Sequence, residues 1–561
     1  MPSRRALLFL LPACVVLAGF AAARLPRAGH APRPAAAPDF DLLIRGGTLV
    51  DGTGAPTRPA DVAVTGERIA AIGDLAGRTA RRVIDAAGLV VAPGFIDMLG
   101  WSQYTVLVDP RGVSKVTQGV TTELVGEGFS PAPVCAASLR EDSAQFAAWG
   151  LVVDWRDVDG YLQRLERSGT PFNIGTLVGA STLRLCVMGW ERRRPTAAEL
   201  AAMTALADTA MQQGAFGLSS ALVYAPGAYA DTRELTALAR AVGARGGLYI
   251  SHIRDEGRHI GPALTEAFRI GRAAGVRVEV WHLKVAAREG WGGMPAILAR
   301  FDSLRARGQR VGANSYPYTA SAANLASRLP LWAREGGNAA VVRRLRDPRT
   351  RARIRTQLRG ADGWLVLSVL DSTLRRYQGR RVGDIARDEG KDPRDVVLDL
   401  LEADGANTGA AFFGMDERDV RAAVAAPWVG VGSDFGAIAG DGPLGNMAAH
   451  PRSYGSFTRI LGRYVREEHA LSLEAAVHKM TGVPAERFGL RDRGLLVAGN
   501  FADITVFDPA TVADRSTFER PHQPSAGIRY VMVNGRLTLD EGRLTGERPG
   551  RALRGPGWSS P

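Results

Sequence analysis

The sequence contains little cysteine, and this scarcity excludes the class of small domains held together by disulfides. Three cysteines occur in 561 residues, too few for a disulfide framework. Cys14 lies in an N-terminal segment that we expect to be removed. Cys135 and Cys186 remain, and the sequence allows them either to pair with each other or to stay buried as small apolar residues.

The sequence also lacks the low hydrophobicity that is typical of disordered chains. Apolar residues make up 46% and charged residues 23% of the chain, as in a soluble folded protein. Its formal net charge is +13, and the densest basic run consists of Arg349, Arg351, Arg353, Arg355 and Arg359. No aromatic residue or nucleic-acid motif accompanies this run, so we interpret it as a solvated helix face and expect no nucleic-acid partner.

The first 23 residues resemble a secretion signal. Arg4 and Arg5 precede an apolar run that ends at Ala23 with small residues in cleavage-site spacing. We therefore predict a signal peptide over 1–23 and a proline- and alanine-rich disordered linker over 24–39. The mature protein is expected in the periplasm or outside the cell. General secretion, twin-arginine export and lipoprotein processing all stay open, and an uncleaved signal or a lipid anchor is the one membrane contact that we expect.

Strand patterns at both ends of the chain, and alternating strands and helices between them, predict an α/β fold. Short strands broken by turns occupy 40–90 and return within 495–561, where a tail ends the chain. We expect these two parts to form one small β-sandwich. The intervening residues 91–494 contain eight strand candidates, at 91–98, 121–127, 172–179, 214–220, 247–253, 276–284, 311–318 and 428–435. Eight strands alternating with helices predict a (β/α)8 TIM barrel.

The segment between the last two strand candidates, at about 320–427, is far longer than an ordinary barrel connection. Its residues are mostly charged and follow a helical pattern. We expect this insertion to form its own helices and to lie as a lid over the mouth of the barrel.

Polar side chains close four of the strand candidates. Glu127, His252, His282 and Asp434 end the second, fifth, sixth and eighth candidates, where TIM barrels carry their chemistry. Only eight histidines occur in the chain, so two at neighbouring strand ends favour a metal site. Two imidazoles and a carboxylate are a common catalytic zinc set, and a nearby aspartate can take a proton from water. We therefore predict one zinc ion held by these four residues, with Asp434 also acting as the catalytic base.

Eight motifs extend this interpretation to a known family. They are APGFIDM at 92–98, QGVTTELVGEG at 118–128, GAFGLSSALVYAPGAYADTREL at 214–235, SHIRDEG at 251–257, WHLK at 281–284, NSYPYTAS at 314–321, GSDFG at 432–436 and HPRSYGSF at 450–457. Together they resemble the D-aminoacylase branch of the amidohydrolase superfamily, and the resemblance spans nearly all of the chain from Asp41 onward.

The resemblance implies a zinc-dependent hydrolase that cleaves the amide bond of N-acyl-D-amino acids or of peptides containing a D-residue. Such a small molecule is the expected partner. The resemblance supports the metal and base roles given above and adds Lys284, Tyr316 and Arg452 as substrate contacts. It implies that Arg452 binds the substrate carboxylate, and that Lys284 or Tyr316 helps to stabilise the oxyanion.

Two departures from the family pattern concern the metal site. The superfamily shows Asp-x-His-x-His after the first strand, whereas this chain reads DMLGW at 97–101; without those histidines we expect no second metal ion. D-aminoacylases have a cysteine after the second strand, whereas the shorter segment here offers Glu127. Cys135 is the competing ligand because thiolate binds zinc well, but it fits the motif alignment less closely.

Two alternative functions remain open. A hydrolase of cyclic amides or imides would keep the fold and the metal, but such relatives normally carry both strand-one histidines and a bridging carboxylated lysine. An inactive exported binding protein would explain the lost histidines. Against it, all four polar residues remain at their strand ends, and stoichiometric zinc in the purified protein would discriminate the two classes.

Overall fold

A computed structural model of the chain describes residues 38–559. The predicted signal peptide and most of the predicted linker lie outside the described residues. The first strand begins at Phe40, where the sequence predicts that ordered structure starts. Among residues 38–559, no helix combines the length and the apolar character that a bilayer-spanning helix needs.

The strands, in chain order, are β1 (Phe40–Leu49), β2 (Arg58–Thr65), β3 (Arg68–Gly73), β4 (Ala80–Asp85), β5 (Val90–Pro93), β6 (Phe95–Gly100), β7 (Val120–Val125), β8 (Asn173–Thr176), β9 (Val178–Gly179), β10 (Gly217–Ala221), β11 (Leu248–His252), β12 (Val278–Val280), β13 (Val311–Ser315), β14 (Ser321–Asn324), β15 (Leu365–Ser368), β16 (Gly409–Phe412), β17 (Val429–Val431), β18 (Ile504–Phe507), β19 (Ile528–Val533), β20 (Arg536–Asp540) and β21 (Arg543–Leu544).

The α-helices are α1 (Ser102–Val108), α2 (Val113–Val116), α3 (Ala136–Trp149), α4 (Val158–Ser168), α5 (Ala180–Met188), α6 (Ala197–Gln212), α7 (Thr232–Gly243), α8 (Ile260–Ala274), α9 (Met294–Ala306), α10 (Gly337–Arg346), α11 (Pro348–Gln357), α12 (Val382–Glu389), α13 (Pro393–Ala403), α14 (Glu417–Ala425), α15 (Arg452–Arg459), α16 (Leu473–Met480) and α17 (Gly482–Phe488). A π-helical turn, Ile460–Glu467, continues α15.

The two ends of the chain form one β unit, as predicted. Its strands run in the order β21-β20-β19-β18-β5-β1-β2-β3, with β4 added beside β1. The antiparallel pair of β5 and β18 joins the N-terminal strands to the C-terminal ones. Hydrogen bonds thus connect all nine strands into one sheet, and apolar side chains from both chain ends share one core under it.

Eight parallel strands form the barrel, and each overlaps one of the predicted strand positions. Their order is β6, β7, β8 with β9, β10, β11, β12, β13 and β17. The third strand is interrupted at one residue, so that β8 pairs with β7 and β9 pairs with β10. A parallel bridge between Gly100 and Phe435 brings the end of β17 back to β6. The ends of β6 and β17 are therefore neighbours, which matters for the site.

The insertion after β13 is a small layered unit with an apolar core of its own. Helices α10 to α13 agree with the helical pattern, but β14, β16 and β15 also form an antiparallel sheet that the sequence does not predict. These strands are four residues long, and SAAN and GAAF carry none of the β-branched residues that usually mark strands. Residues of this sheet and of the turn Leu325–Arg328 line the cavity above the barrel, so the insertion covers the mouth as expected.

Candidate metal centre and active-site cavity

Three of the predicted ligands converge at the C-terminal end of the barrel. His252 is the last residue of β11, while Glu127 and His282 lie two residues beyond β7 and β12. Oε1 of Glu127 lies 2.8 Å from Nδ1 of His252 and 3.1 Å from Nε2 of His282. The two imidazole nitrogens are 3.0 Å apart. All three side chains are buried, and among the described residues they are the one group of histidine, cysteine and acidic side chains placed to share a metal ion.

The spacing and chemistry of these atoms fit zinc. A tetrahedral zinc ion with bonds of about 2.1 Å separates its ligand atoms by about 3.4 Å. The three atoms are 2.8 to 3.1 Å apart, so outward shifts of a few tenths of an ångström would admit the ion. Three protein ligands leave the fourth position open, as in catalytic rather than structural zinc sites.

Glu256 is a functional residue that the sequence analysis missed. Its carboxylate contacts the second nitrogen of both imidazoles, with Oε1 2.9 Å from Nδ1 of His282 and Oε2 3.4 Å from Nε2 of His252. Oε1 also lies 2.5 Å from Nζ of Lys284. A carboxylate that accepts from the non-ligating nitrogen fixes the tautomer and the ring orientation of a metal-binding histidine. The sequence feature that could have identified Glu256 is its position in the SHIRDEG motif, four residues after His252.

Burial and opposite charges compete in setting the protonation of this group. Burial alone would raise the pKa of Glu127, but His282 and His252 hold that pKa well below its usual range. Burial likewise opposes ionisation of Glu256, whose pKa is nevertheless held low by His252, Lys284 and His282. Burial and Lys284 disfavour the charged imidazole of His282, yet the carboxylates around it raise its pKa to about 9. The raised pKa of His282 favours its protonated form, whose charge lies between the carboxylates of Glu127 and Glu256.

Asp434, the predicted fourth ligand, is not among the three converging atoms. It lies in the same cavity, three residues beyond β17, with a φ of +51°. Its Oδ1 accepts a hydrogen bond from Nε1 of Trp101 at 3.1 Å, and its Oδ2 lies 2.8 Å from Nη1 of Arg452. Burial raises its pKa, although Arg452 and His282 oppose the shift. A position beside the metal group suits a base, and direct ligation by Asp434 stays a prediction.

The three predicted substrate contacts lie together beside the metal group. Lys284 and Arg452 line the cavity, and both are buried. The ring of Tyr316 packs against them from outside the cavity, with its centroid 5.9 Å from Nζ of Lys284 and 4.6 Å from Cζ of Arg452. The buried Tyr316 hydroxyl and Nε of Arg452 have no hydrogen-bond partner among the described residues. Nη1 of Arg452 also makes no well-directed hydrogen bond, so this guanidinium retains donors for a ligand.

A cavity of about 690 Å³ connects the metal group to the insertion and to α3. Arg328, from the turn that follows β14, lines this cavity with its guanidinium 3.8 Å from the centroid of the Phe412 ring. It makes no hydrogen bond or ion pair within residues 38–559. The residue is solvent-exposed, as suits a cation that lines an open cavity. Sequence reasoning missed Arg328 because the chain is rich in arginine and the residue belongs to no motif.

The competing ligand Cys135 is excluded by its disulfide with Cys186. The Cα atoms of the two residues are 5.6 Å apart, and the bond connects the N-terminus of α3 to α5. Both thiols are therefore used in the covalent link. Of the two possibilities that the sequence left open for these cysteines, the structure shows pairing.

Comparisons with known proteins agree with the fold and with a zinc-dependent hydrolase. The model of the amidohydrolase family matches residues 82–539. The D-aminoacylase of Alcaligenes xylosoxydans xylosoxydans is 40% identical over 515 residues, which cover 92% of this chain and 97% of the relative. The N-acyl-D-glutamate deacylase of Bordetella bronchiseptica, solved with zinc and a phosphonate mimic of the tetrahedral intermediate, superposes with a TM-score of 0.79 at 37% identity, covering 92% of this chain and 99% of that one.

A D-aminoacylase structure described by its binuclear metal centre, with activation by one metal and attenuation by the second, superposes with a TM-score of 0.78 at 38% identity and covers 92% of this chain and all of its own. The chain therefore belongs to the amidohydrolase family. Within that family it is an enzyme of the D-aminoacylase type.

Proposed function

We propose that this enzyme hydrolyses the amide bond of N-acyl-D-amino acids with a single zinc ion. The observation that carries the proposal is the convergence of Glu127, His252 and His282 in a covered cavity, with Asp434 and Arg452 beside them. The names and bound ligands of the relatives support the same reaction class. A single ion is proposed because the positions of the two superfamily histidines hold Leu99 and Trp101, and neither side chain binds zinc.

Glu127, His252 and His282 would hold the ion. When bound, zinc polarises the scissile carbonyl and makes water acidic enough to attack near neutral pH. Asp434 takes a proton from the attacking water and delivers it to the leaving nitrogen, acting first as base and then as acid. Lys284 lines the cavity beside His282, where its ammonium group can stabilise the developing oxyanion.

Arg452 provides the binding site for the substrate α-carboxylate. Its guanidinium is buried, Nε has no hydrogen-bond partner among the described residues, and Nη1 lies 2.8 Å from Oδ2 of Asp434. A buried donor left unsatisfied costs stability until a ligand binds. A carboxylate can accept two parallel hydrogen bonds from such a group. Binding the carboxylate here would orient the neighbouring amide toward the metal group and Asp434.

The presence of Arg328 in the cavity favours a substrate with an acidic side chain. It is a cation in the cavity without a carboxylate partner among the described residues, and Arg452 is already assigned to the α-carboxylate. A second carboxylate on the substrate would pair with it. We therefore propose that N-acyl-D-glutamate or N-acyl-D-aspartate is preferred over N-acyl derivatives of apolar D-amino acids.

Export is also a proposal. It is supported by the sequence pattern of residues 1–23, and the expected location of the mature enzyme is the periplasm or the medium. Fractionation of cells that express the full chain, with N-terminal sequencing of the recovered protein, tests it. A full-length protein in the cytoplasmic fraction would contradict it.

The experiment that tests the function combines metal analysis with a substrate panel. Zinc is measured by elemental analysis in the mature protein and in the His282→Ala variant. Release of free amine is followed with N-acetyl derivatives of D- and L-glutamate, aspartate and leucine. About one zinc per chain, lost in the variant, together with D-selective release, is the expected result.

Two outcomes would contradict the proposed function. Bound zinc without amine release would move the reaction to another amide, such as a cyclic one. No zinc in the protein would favour a binding protein that has lost its activity.

A further inference from the structure

The carboxylate of Asp434 accepts a hydrogen bond from an indole at a position where the superfamily pattern has a histidine. Trp101 follows β6 directly and donates its Nε1 hydrogen to Oδ1 of Asp434 at 3.1 Å. In the superfamily pattern Asp-x-His-x-His, which begins here at Asp97, the last position is occupied by Trp101. An indole Nε1 is a donor without an available lone pair, so it cannot ligate a metal ion but can orient a carboxylate.

The other histidine position is closed to a second ion by packing. Leu99 is fully buried and belongs to an apolar cluster with Ile96, Met98 and Trp281. Its backbone carbonyl accepts a hydrogen bond from the amide of Asp434 at 2.8 Å. The two positions that would carry ligands for a second ion therefore contact Asp434 through neutral groups instead.

The backbone holds Trp101 and Asp434 in register. The amide of Trp101 donates to the carbonyl of Phe435 at 3.1 Å, and β6 and β17 meet at this point. Asp434 has a left-handed backbone, which a residue other than glycine keeps only where its surroundings enforce it. The hydrogen bonds on both sides of Asp434 provide that enforcement.

A buried lysine, Lys115, contacts the residues on either side of Asp434. Nζ of Lys115 donates to Oγ of Ser433 at 2.5 Å and to the carbonyl of Phe435 at 2.8 Å, and it pairs with Asp97 at 2.7 Å. Lys115 and Asp97 are both fully buried. The residues on either side of Asp434 are thus anchored to β6, and the remaining freedom of Asp434 is rotation of its carboxylate.

We propose that Trp101 is a positioning residue that replaces a second cation by fixing the rotation of the Asp434 carboxylate. With Oδ1 held by Trp101, Oδ2 is the oxygen directed toward Arg452. Once Arg452 binds a substrate carboxylate, Oδ2 becomes the acceptor for the proton of water. The proposal rests on the proposed function, because it assigns a partner to the base of that reaction.

The test compares Trp101→Phe with Trp428→Phe. The first variant removes the hydrogen bond to Asp434 and keeps an aromatic ring. The second is a matched control, since Trp428 donates its Nε1 hydrogen to Oδ1 of Asp302 at 2.7 Å, outside the cavity lining. Both variants lose one indole–carboxylate hydrogen bond, but only Trp101→Phe loses one at the base.

We expect Trp101→Phe to lower kcat on N-acetyl-D-glutamate roughly ten- to a hundredfold, as loss of one hydrogen bond to a charged group predicts. Its KM should change less than about threefold, and its zinc content should stay near one per chain. A crystal structure of the variant should show the carboxylate of Asp434 rotated. Trp428→Phe should keep the wild-type kcat, even where its thermal stability falls.

The possible contrary results are distinguishable. A Trp101→Phe variant with the wild-type kcat, or one that loses zinc together with activity, would overturn the positioning role. The same is true if Trp428→Phe loses kcat to the same extent, because a general structural effect would then explain both variants. Wild-type enzyme that holds zinc but releases no amine would overturn the proposed function, and the role of Trp101 with it.

Discussion

Replacing Glu256 with glutamine should weaken zinc binding without removing a ligand. The Glu256 carboxylate contacts the second nitrogen of both metal-binding imidazoles, at 2.9 Å for His282 and 3.4 Å for His252. It also neutralises Lys284, whose ammonium otherwise faces the histidines. A glutamine side chain has nearly the same shape, but it has no charge and can accept through only one atom.

The size of the effect follows from the number of contacts that Glu256 makes. Loss of one partner to the second nitrogen of a ligating histidine typically costs ten- to a hundredfold in metal affinity. Since Glu256 serves both histidines, we expect Glu256→Gln to reach the upper end, about a hundredfold. This corresponds to about 2.7 kcal/mol of binding free energy.

Competition with a chelator of known affinity measures the zinc dissociation constant of the wild type and of the variant. The control is Glu266→Gln, because Glu266 lies in the same βα unit and pairs with Arg254 at 2.8 Å without contacting either histidine. The control should lose stability and keep its zinc affinity. A zinc affinity of Glu256→Gln within twofold of the wild type would refute the assigned role of Glu256.

Three further predictions concern other parts of the molecule. Arg328→Met should lower kcat/KM for N-acetyl-D-glutamate roughly ten- to a hundredfold relative to N-acetyl-D-leucine, measured by amine release, and an equal loss on both substrates would contradict it. The Cys135→Ser/Cys186→Ser double variant should keep its zinc and lose about 4 kcal/mol of unfolding free energy in urea, because the disulfide spans 51 residues of sequence. Burial and Arg487 lower the pKa of Lys479 from 10.5 to about 7. Between those values the unfolded chain binds more protons, so stability rises with pH. Lys479→Met should remove that rise, about 1.4 kcal/mol per pH unit, in urea unfolding from pH 7 to 9, and an unchanged pH slope would refute this account.

The barrel and the metal group could be predicted because their signals are local. A buried parallel strand appears in the sequence as a short apolar run, and the first polar residue after the run indicates the C-terminal end of the strand. Glu127, His252 and His282 each lie at the end of such a run, so the barrel topology places all three at the same end of the barrel. The terminal sheet could also be predicted from the sequence, since apolar and polar residues alternate in the strands at both ends and turns with glycine, proline and asparagine bound these strands.

Contacts between loops could not be predicted from the sequence. The carboxylate of Glu256 reaches two histidines on different strands, and no spacing along the chain encodes that distance. The pairing of Cys135 with Cys186 depends in the same way on how the N-terminus of α3 meets α5. The sheet of the insertion was missed because its strands are only four residues long, and segments such as SAAN and GAAF resemble loop or helix equally well.

Leu99 and Trp101 occupy the positions of the two superfamily histidines, and both contact the predicted base. The lost histidines led to the expectation of a centre without a second ion, but from the sequence Leu99 and Trp101 were interpreted only as lost ligands. In the structure both contact Asp434, one through its carbonyl and the other through its indole. A residue that occupies the position of a lost ligand can therefore have a role of its own, which its contacts in the structure indicate.

In the proposed function, chemistry and substrate choice come from different parts of this molecule. The metal group, Asp434 and Lys284 lie at barrel strand ends that hydrogen bonds hold in register, so small changes elsewhere leave them in place. Arg328 lies on the insertion, in a short turn of four residues. Substitutions in that turn can change the charge of the cavity without moving a ligand or the base. Under the proposed specificity, the residue at position 328 is therefore more informative about the preferred substrate side chain than overall identity to relatives.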